Sequence, residues 1–193
     1  MRVIGGFLGS RILARPPSGV RPTGDRVREA LFAALGSLED AHVLDLYAGT
    51  GALGIEALSR GAARAVFVDK SDRSLRVLRQ NLKALDLLDQ AQVVRAAVVP
   101  ALRQLAETGE SFDLALLDPP YASDEIQAGL EELVASGVMA PEATVVVETA
   151  KRHALAPVAG LEECSRRCYG DTQITRLRCR ATASPTAASQ LVD

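Results

Sequence analysis

Asp118-Pro119-Pro120-Tyr121 is the segment of this chain whose residue types are best suited to chemistry. Two consecutive prolines stiffen a turn, and neither has an N–H to compete for nearby acceptors. The Asp118 carboxylate and the Pro119 carbonyl can then accept both hydrogens of a planar –NH2 group. An exocyclic amine on a base is a poor nucleophile because its lone pair is delocalised into the ring. Two fixed acceptors orient such an amine and stabilise the charge that develops on nitrogen. Tyr121 adds a face on which an unstacked base can rest. An ordinary strand-ending proline turn is the bland alternative.

A second segment, Asp45-Leu46-Tyr47-Ala48-Gly49-Thr50-Gly51-Ala52-Leu53-Gly54, satisfies G-x-G-x-x-G over positions 49–54. It follows an apolar run and opens a helical one, and Asp69 stands at the end of the next strand, where it suits a ribose diol. A dinucleotide pyrophosphate needs bare backbone N–H groups here, and Asp45 meets it with the wrong charge. A ligand with an ammonium group and no phosphate instead finds Asp45 favourable, and S-adenosylmethionine is such a ligand. Nicotinamide-dependent oxidoreduction remains as a competing enzyme class. A non-catalytic RNA-binding module is a third reading, against which Asp45 and 118–121 together argue.

Elements must carry these segments to one place. Thr23 is an expected helix N-cap, with Val27, Leu31 and Leu35 on one face and Gly36 as the stop. Strands are expected at His42–Leu46, Ala65–Val68, Gln92–Val94, Phe112–Leu117 and Thr144–Val147. Helices are expected over Ala52–Arg60, along Leu75, Leu78, Leu82 and Leu85, over Ala101–Glu107 and over Asp124–Ser136. This alternation predicts a doubly wound α/β sheet, Rossmann-like, with helices on both faces and ligands at the carboxyl ends of its strands. Arg166–Tyr169 and Thr172–Arg180, around Gly170-Asp171, break the rhythm and read as an antiparallel hairpin. The expected organisation is a basic extension over 1–22 (a small hairpin at most), one domain over 23–180, and a polar tail over 181–193.

The chain has 193 residues, 48% of them hydrophobic, with 22 Lys+Arg against 24 Asp+Glu. That composition excludes wholesale disorder and fibrous folds. No apolar run approaches the ~18 residues needed to span a bilayer, and Met1–Gly6 opens no signal peptide, so a cytoplasmic protein is expected. Cys164, Cys168, Cys179 and His153 have loose spacing, and no metal site is expected. Near-neutrality conceals an asymmetry: residues 1–28 carry +5 and residues 151–180 carry +4. Basic ends around an acidic body form a footprint for a phosphate backbone, provided that they meet in space. Arg11, Arg21, Arg26 and Arg28 are the candidate phosphate contacts, as a group.

These segments together resemble class I S-adenosylmethionine-dependent methyltransferases that modify exocyclic or amide nitrogens. More narrowly the chain resembles the RsmD family, bacterial 16S rRNA guanine-N2 methyltransferases. Arg2–Gly6, Gly9–Arg11, Arg21–Phe32, Leu44–Gly61, Asp118–Tyr121 and the Tyr169–Thr172 turn carry the likeness. It implies a seven-stranded sheet with the C-terminal hairpin as antiparallel edge, and a monomer acting on 16S rRNA of the small subunit. It also implies that Asp45, Gly49 and Gly51 line the methionine end of the donor, with Tyr47 and Thr50 among the cofactor-binding residues. Asp69 would bind the ribose and Asp118 would sit beside the sulfonium; with Arg95-Ala96-Ala97-Val98 on the third strand in place of an acid or amide, the adenine contact falls to backbone groups or to Lys70 and its neighbours. Asp118, Pro119, Pro120 and Tyr121 would form the catalytic set. Adenine-N6 methylation of a nucleic acid is the alternative that Asp-Pro-Pro-Tyr equally fits.

Overall fold

A computed structural model describes residues 1–14, 24–119, 124–153 and 155–180. Arg15, Arg21, Thr23, Pro120, Tyr121 and the expected tail 181–193 lie outside these residues, so the expectations placed on them are not addressed below. Helix α1 spans Asp25–Leu35, β1 His42–Leu46, α2 Ala52–Ser59, β2 Arg64–Asp69 and α3 Asp72–Ala84. A short 3-10 turn, Leu88–Gln90, leads into β3 (Ala91–Arg95), followed by α4 (Val98–Thr108), β4 (Phe112–Leu117) and α5 (Asp124–Ala135). Three strands complete the chain: β5 (Met139–Ala150), β6 (Leu161–Tyr169) and β7 (Thr172–Cys179).

The strands form one sheet in the order β3-β2-β1-β4-β5-β7-β6, parallel except for β7, which runs against both β5 and β6. Apolar residues cover both faces, as a sheet sandwiched by helices requires. Leu31, Phe32, Ile55, Leu58, Leu75, Leu78 and Leu82 bring α1, α2 and α3 onto one face. Val98, Leu102, Leu105, Ile126, Leu130 and Leu133 bring α4 and α5 onto the other. Ser71 caps α3, its side chain accepting from the Ser74 N–H at 3.3 Å.

The first residues belong to this core. Val3, Leu8 and Leu13 are buried in the cluster formed by α1, α2 and α3, and a single antiparallel bridge joins Arg2 to Ile12. The carboxylate of Glu56 on α2 holds the segment, accepting from Ile4 N–H at 2.7 Å and Gly5 N–H at 2.8 Å. Ser59 Oγ accepts from Leu8 N–H at 3.0 Å. Gly6 lies against α2 with φ +75°, and a Cβ there would stand 1.7 Å from the Ser59 carbonyl oxygen. Only glycine meets both conditions.

Candidate active site

Strand order reverses between β1 and β4, whose carboxyl ends therefore open a crevice. Leu46 is in register with Leu117, which brings the residues that follow, Tyr47 and Asp118, to the ends of neighbouring strands roughly 4.8 Å apart. Two segments more than 60 residues apart in sequence thus share one edge. Asp69 ends β2 on the far side of β1, and Asp118 and Asp69 both raise the proton affinity of Asp45. With Asp45 holding its proton, Asp69 and Asp118 at one edge make a field that favours a cation.

The glycine turn is built by packing. At Gly51, φ is +82° and a Cβ would meet Leu78 Cδ1 at 2.2 Å, so the turn presses directly on α3. At Gly49 a Cβ would find, among the described residues, only the Tyr47 carbonyl oxygen, 3.9 Å away. No described side chain fills the space above Gly49, which suits a ligand there. Gly49 N–H donates to Asp69 Oδ2 at 2.8 Å and Ser71 N–H to Asp69 Oδ1 at 2.7 Å. This fixes the carboxylate at the β2 end, where each oxygen keeps a lone pair for a diol. Thr50 is buried, and its carbonyl accepts from Asn81 Nδ2 at 3.0 Å; Asn81 Oδ1 also accepts from Ala14 N–H at 2.8 Å. One side chain of α3 therefore ties the glycine turn to the N-terminal segment.

Asp45 departs from its expected placement. It is 1% exposed, and its Oδ2 accepts from Gly54 N–H at 2.8 Å. Burial, then the nearby acids, push its pKa up to about 8, against the lowering effect of that hydrogen bond. Asp45 braces the turn from beneath through Oδ2, and its 1% exposure places it under the turn, away from the solvent-facing side of the cleft.

Tyr47 and Lys70 both reach α5. Tyr47, at φ +62°, donates its hydroxyl to the Glu125 carbonyl at 2.9 Å, and burial followed by Glu125 raises its pKa to about 12. Lys70 Nζ pairs with Glu125 Oε1 at 2.7 Å, so its ammonium is engaged by a carboxylate at the rim. Arg95, at the end of β3, pairs with Asp72 at 3.3 Å.

Of the candidate phosphate contacts, Arg11 and Arg26 are exposed. Arg28 is not. It is fully buried, and its Nη2 donates to the Arg2 carbonyl at 2.6 Å and to Asp25 Oδ1 at 2.9 Å. Burial lowers its pKa against the opposing pull of Asp25, Glu56 and Glu148. The phosphate role expected for Arg28 is withdrawn, since its side chain links α1 to the first strand-like residues and meets no solvent. Sequence reasoning also missed Glu56, Asn81 and Glu125, which act through distant partners. It missed Phe7 and Ile12 as well, large apolar side chains left 67% and 84% exposed beside Arg11. Among the described residues, Cys164 and Cys168 are exposed and Cys179 is buried, with all three thiols free.

A sheet of this order, an open glycine turn after β1 and Asp118 after β4 define a class I methyltransferase of Rossmann-like fold. The family described as Conserved hypothetical protein 95 matches residues 1–178, and the chain belongs to it, the RsmD family of rRNA methyltransferases. The chain is 36% identical over 177 residues to the Bacillus subtilis protein YlbH, covering 90% of this chain and 96% of that one. It is 38% identical over 160 residues to the ribosomal RNA small subunit methyltransferase D of Escherichia coli, covering 82% and 79%. The solved structure of yhhF from Escherichia coli has a TM-score of 0.83 at 31% identity, covering 94% of this chain and 99% of that one.

Proposed function

We propose that the chain transfers a methyl group from S-adenosylmethionine to the exocyclic N2 of a guanine in 16S rRNA of the small ribosomal subunit, in the cytoplasm. The observation that carries this reading is the register of Leu46 with Leu117, which sets the open glycine turn beside Asp118. The residues at this edge fit the donor: a fixed carboxylate for the ribose at Asp69, open space above Gly49, and an acidic field for a sulfonium and an ammonium. When bound, the donor supplies an electrophilic methyl on a cationic sulfur.

The protein's own task is to present the nucleophile. Asp118 and the Pro119 carbonyl accept the two hydrogens of the guanine N2 amine, which turns its lone pair toward the methyl. The N–C bond forms as the S–C bond breaks, leaving S-adenosylhomocysteine. The charge that develops on nitrogen is stabilised by Asp118 until one proton leaves to water. In this proposal Pro120 keeps the turn stiff and Tyr121 stacks on the extruded base. Asp69 holds the ribose; Gly49, Thr50 and Gly51 shape the methionine end; Asp45 and Tyr47 brace it. Lys70 bounds the adenine side while paired with Glu125. Arg11, Arg21 and Arg26 contact phosphates, and the enzyme acts as a monomer without a metal.

The test is transfer of a labelled methyl group to small subunits that lack the modification, followed by nucleoside analysis. N2-methylguanosine is the expected product. N6-methyladenosine would leave methyl transfer standing and overturn the choice of base, while stabilisation by NAD and not by S-adenosylhomocysteine would point to the oxidoreductase class.

A further inference from the structure

Beside α1, part of the hairpin face is uncovered among the described residues. Ile174 joins the core under α1–α3, whereas Leu177 and Cys179 join the core under α4 and α5. Alternation along β7 therefore puts Arg176 on the α1 side with Ile174, and their register partners Ser165 and Arg167 share that side. A groove of about 540 Å³ runs between this face and α1. Ala30, Ala33 and Ala34 form its helical wall; Arg167, Tyr169 and Arg176 stand on the hairpin wall, and the described lining includes no carboxylate.

The hairpin arginines divide into two kinds. Arg166 pairs with Glu163 at 2.6 Å, and Arg178 pairs with Glu142 at 3.4 Å and with Glu162 at 3.2 Å. Arg167 and Arg176 face the groove and have no ion pair among the described residues. Arg176 instead donates to the Ala34 carbonyl at 2.9 Å, which steadies its guanidinium in the groove. Exposed Arg26 lies one helical turn before Ala30, while exposed Glu29 stands one turn before Ala33 on the same helix, so the positive charge of the groove comes from its hairpin wall. Because β7 is antiparallel to β5, with Thr172 opposite Ala150, the Tyr169 end of the groove reaches the sheet edge that carries Asp118.

We propose that this groove holds a single-stranded segment of the RNA substrate next to the target nucleotide, with Arg167 and Arg176 on its phosphates. The alanine wall leaves room for a sugar–phosphate chain, and two guanidinium groups without an ion pair among the described residues suit a polyanion, although Glu148 stands opposite Ile174 on the same face. The proposal rests on the rRNA reading above and deepens it.

RNA affinity across a salt series, S-adenosylhomocysteine affinity and methyl transfer are measured for the wild type and for variants, with small-subunit rRNA lacking the modification as the probe. For Arg167→Ala/Arg176→Ala, RNA binding weakens by tenfold or more (about 1.4 kcal/mol). The slope of log affinity against log salt falls by about 1.4, as for two contacts on a single strand. KM for RNA rises, and S-adenosylhomocysteine affinity stays constant. Arg176→Ala also removes the bond to α1, so Arg167→Glu, at an exposed position, tests the same wall without touching the helix and shows the larger loss. Arg103→Ala, which removes a cation paired with Glu132 between α4 and α5, leaves the slope unchanged. A wild type that methylates RNA, with both groove variants keeping its slope and KM, overturns the groove. So does a dimer that Arg167→Glu dissociates while RNA binding persists, since a second copy would then be the occupant. A wild type that binds RNA with these losses in the variants, yet transfers no methyl, overturns the methylation reading instead.

Discussion

At the scale of single residues, the proposed function gives Asp118 and Asp45 different roles despite their sharing an edge. Asp118 lies beyond the end of β4 and is assigned to the reacting amine. Asp118→Ala lowers kcat by about 10²–10³, the usual effect of losing one preorganised partner of developing charge. Its melting temperature stays near that of the wild type. Activity persisting at the wild-type level would remove Asp118 from the chemistry. Asp45 is a stability residue, and its pKa raised from 3.8 to about 8 sets the sign. The folded state keeps a proton that the unfolded state gives up, so stability falls as pH rises across that window. Asp45→Asn retains an acceptor for Gly54 N–H without titrating. Its melting temperature loses this fall, as thermal scans at about pH 5 and about pH 9 will show; an undiminished fall would assign the effect to other groups. The position of Asp118 at the end of β4 was legible because it directly follows the apolar run 112–117. The inward turn of Asp45 was not, because burial depends on α2 closing over it.

At the scale of elements, the sequence read best where apolar residues are local and periodic. β1 and β4 occupy their expected bounds, His42–Leu46 and Phe112–Leu117. Strand β5 runs from Met139 to Ala150, well past the expected Thr144–Val147, and β6 begins at Leu161, five residues before the expected Arg166. These extensions are polar at many positions and are strands because backbone partners on β7 and β4 satisfy them, which hydropathy does not record. The N-terminal segment is the larger surprise. Expected as an appendage, its described part is docked on α2 by Glu56, whose carboxylate also accepts from Arg60 Nε at 2.8 Å. Glu56 is fully buried, so Glu56→Ala strands several donors and costs about 3–5 kcal/mol. Denaturant unfolding measures the loss. A cost under about 1 kcal/mol would mean that Val3, Leu8 and Leu13 hold the segment by packing alone.

At the scale of the whole molecule, charge and topology answer one another. The two basic ends meet through α1: Arg28 of α1 bonds the Arg2 carbonyl, and Arg176 of β7 bonds the Ala34 carbonyl of α1. The three acids Asp45, Asp69 and Asp118 stay at the strand ends between them. Arg26→Ala therefore weakens RNA binding and lowers its salt slope by about 0.7–0.9, leaving S-adenosylhomocysteine affinity unchanged. Filter binding at several salt concentrations checks this, and an unaltered slope would take Arg26 out of the interface. Arg28 carries no such prediction, since it is buried. By itself the sequence determined the alternating α/β class, the glycine turn, the presence of the Asp-Pro-Pro-Tyr motif and the segregation of charge, because each is a matter of residue type within a short window. Tertiary structure decided which strands are neighbours, which arginines keep their charge in solvent, and which acids face the cleft. Those depend on register and burial, properties that a residue acquires only from partners far away in the chain.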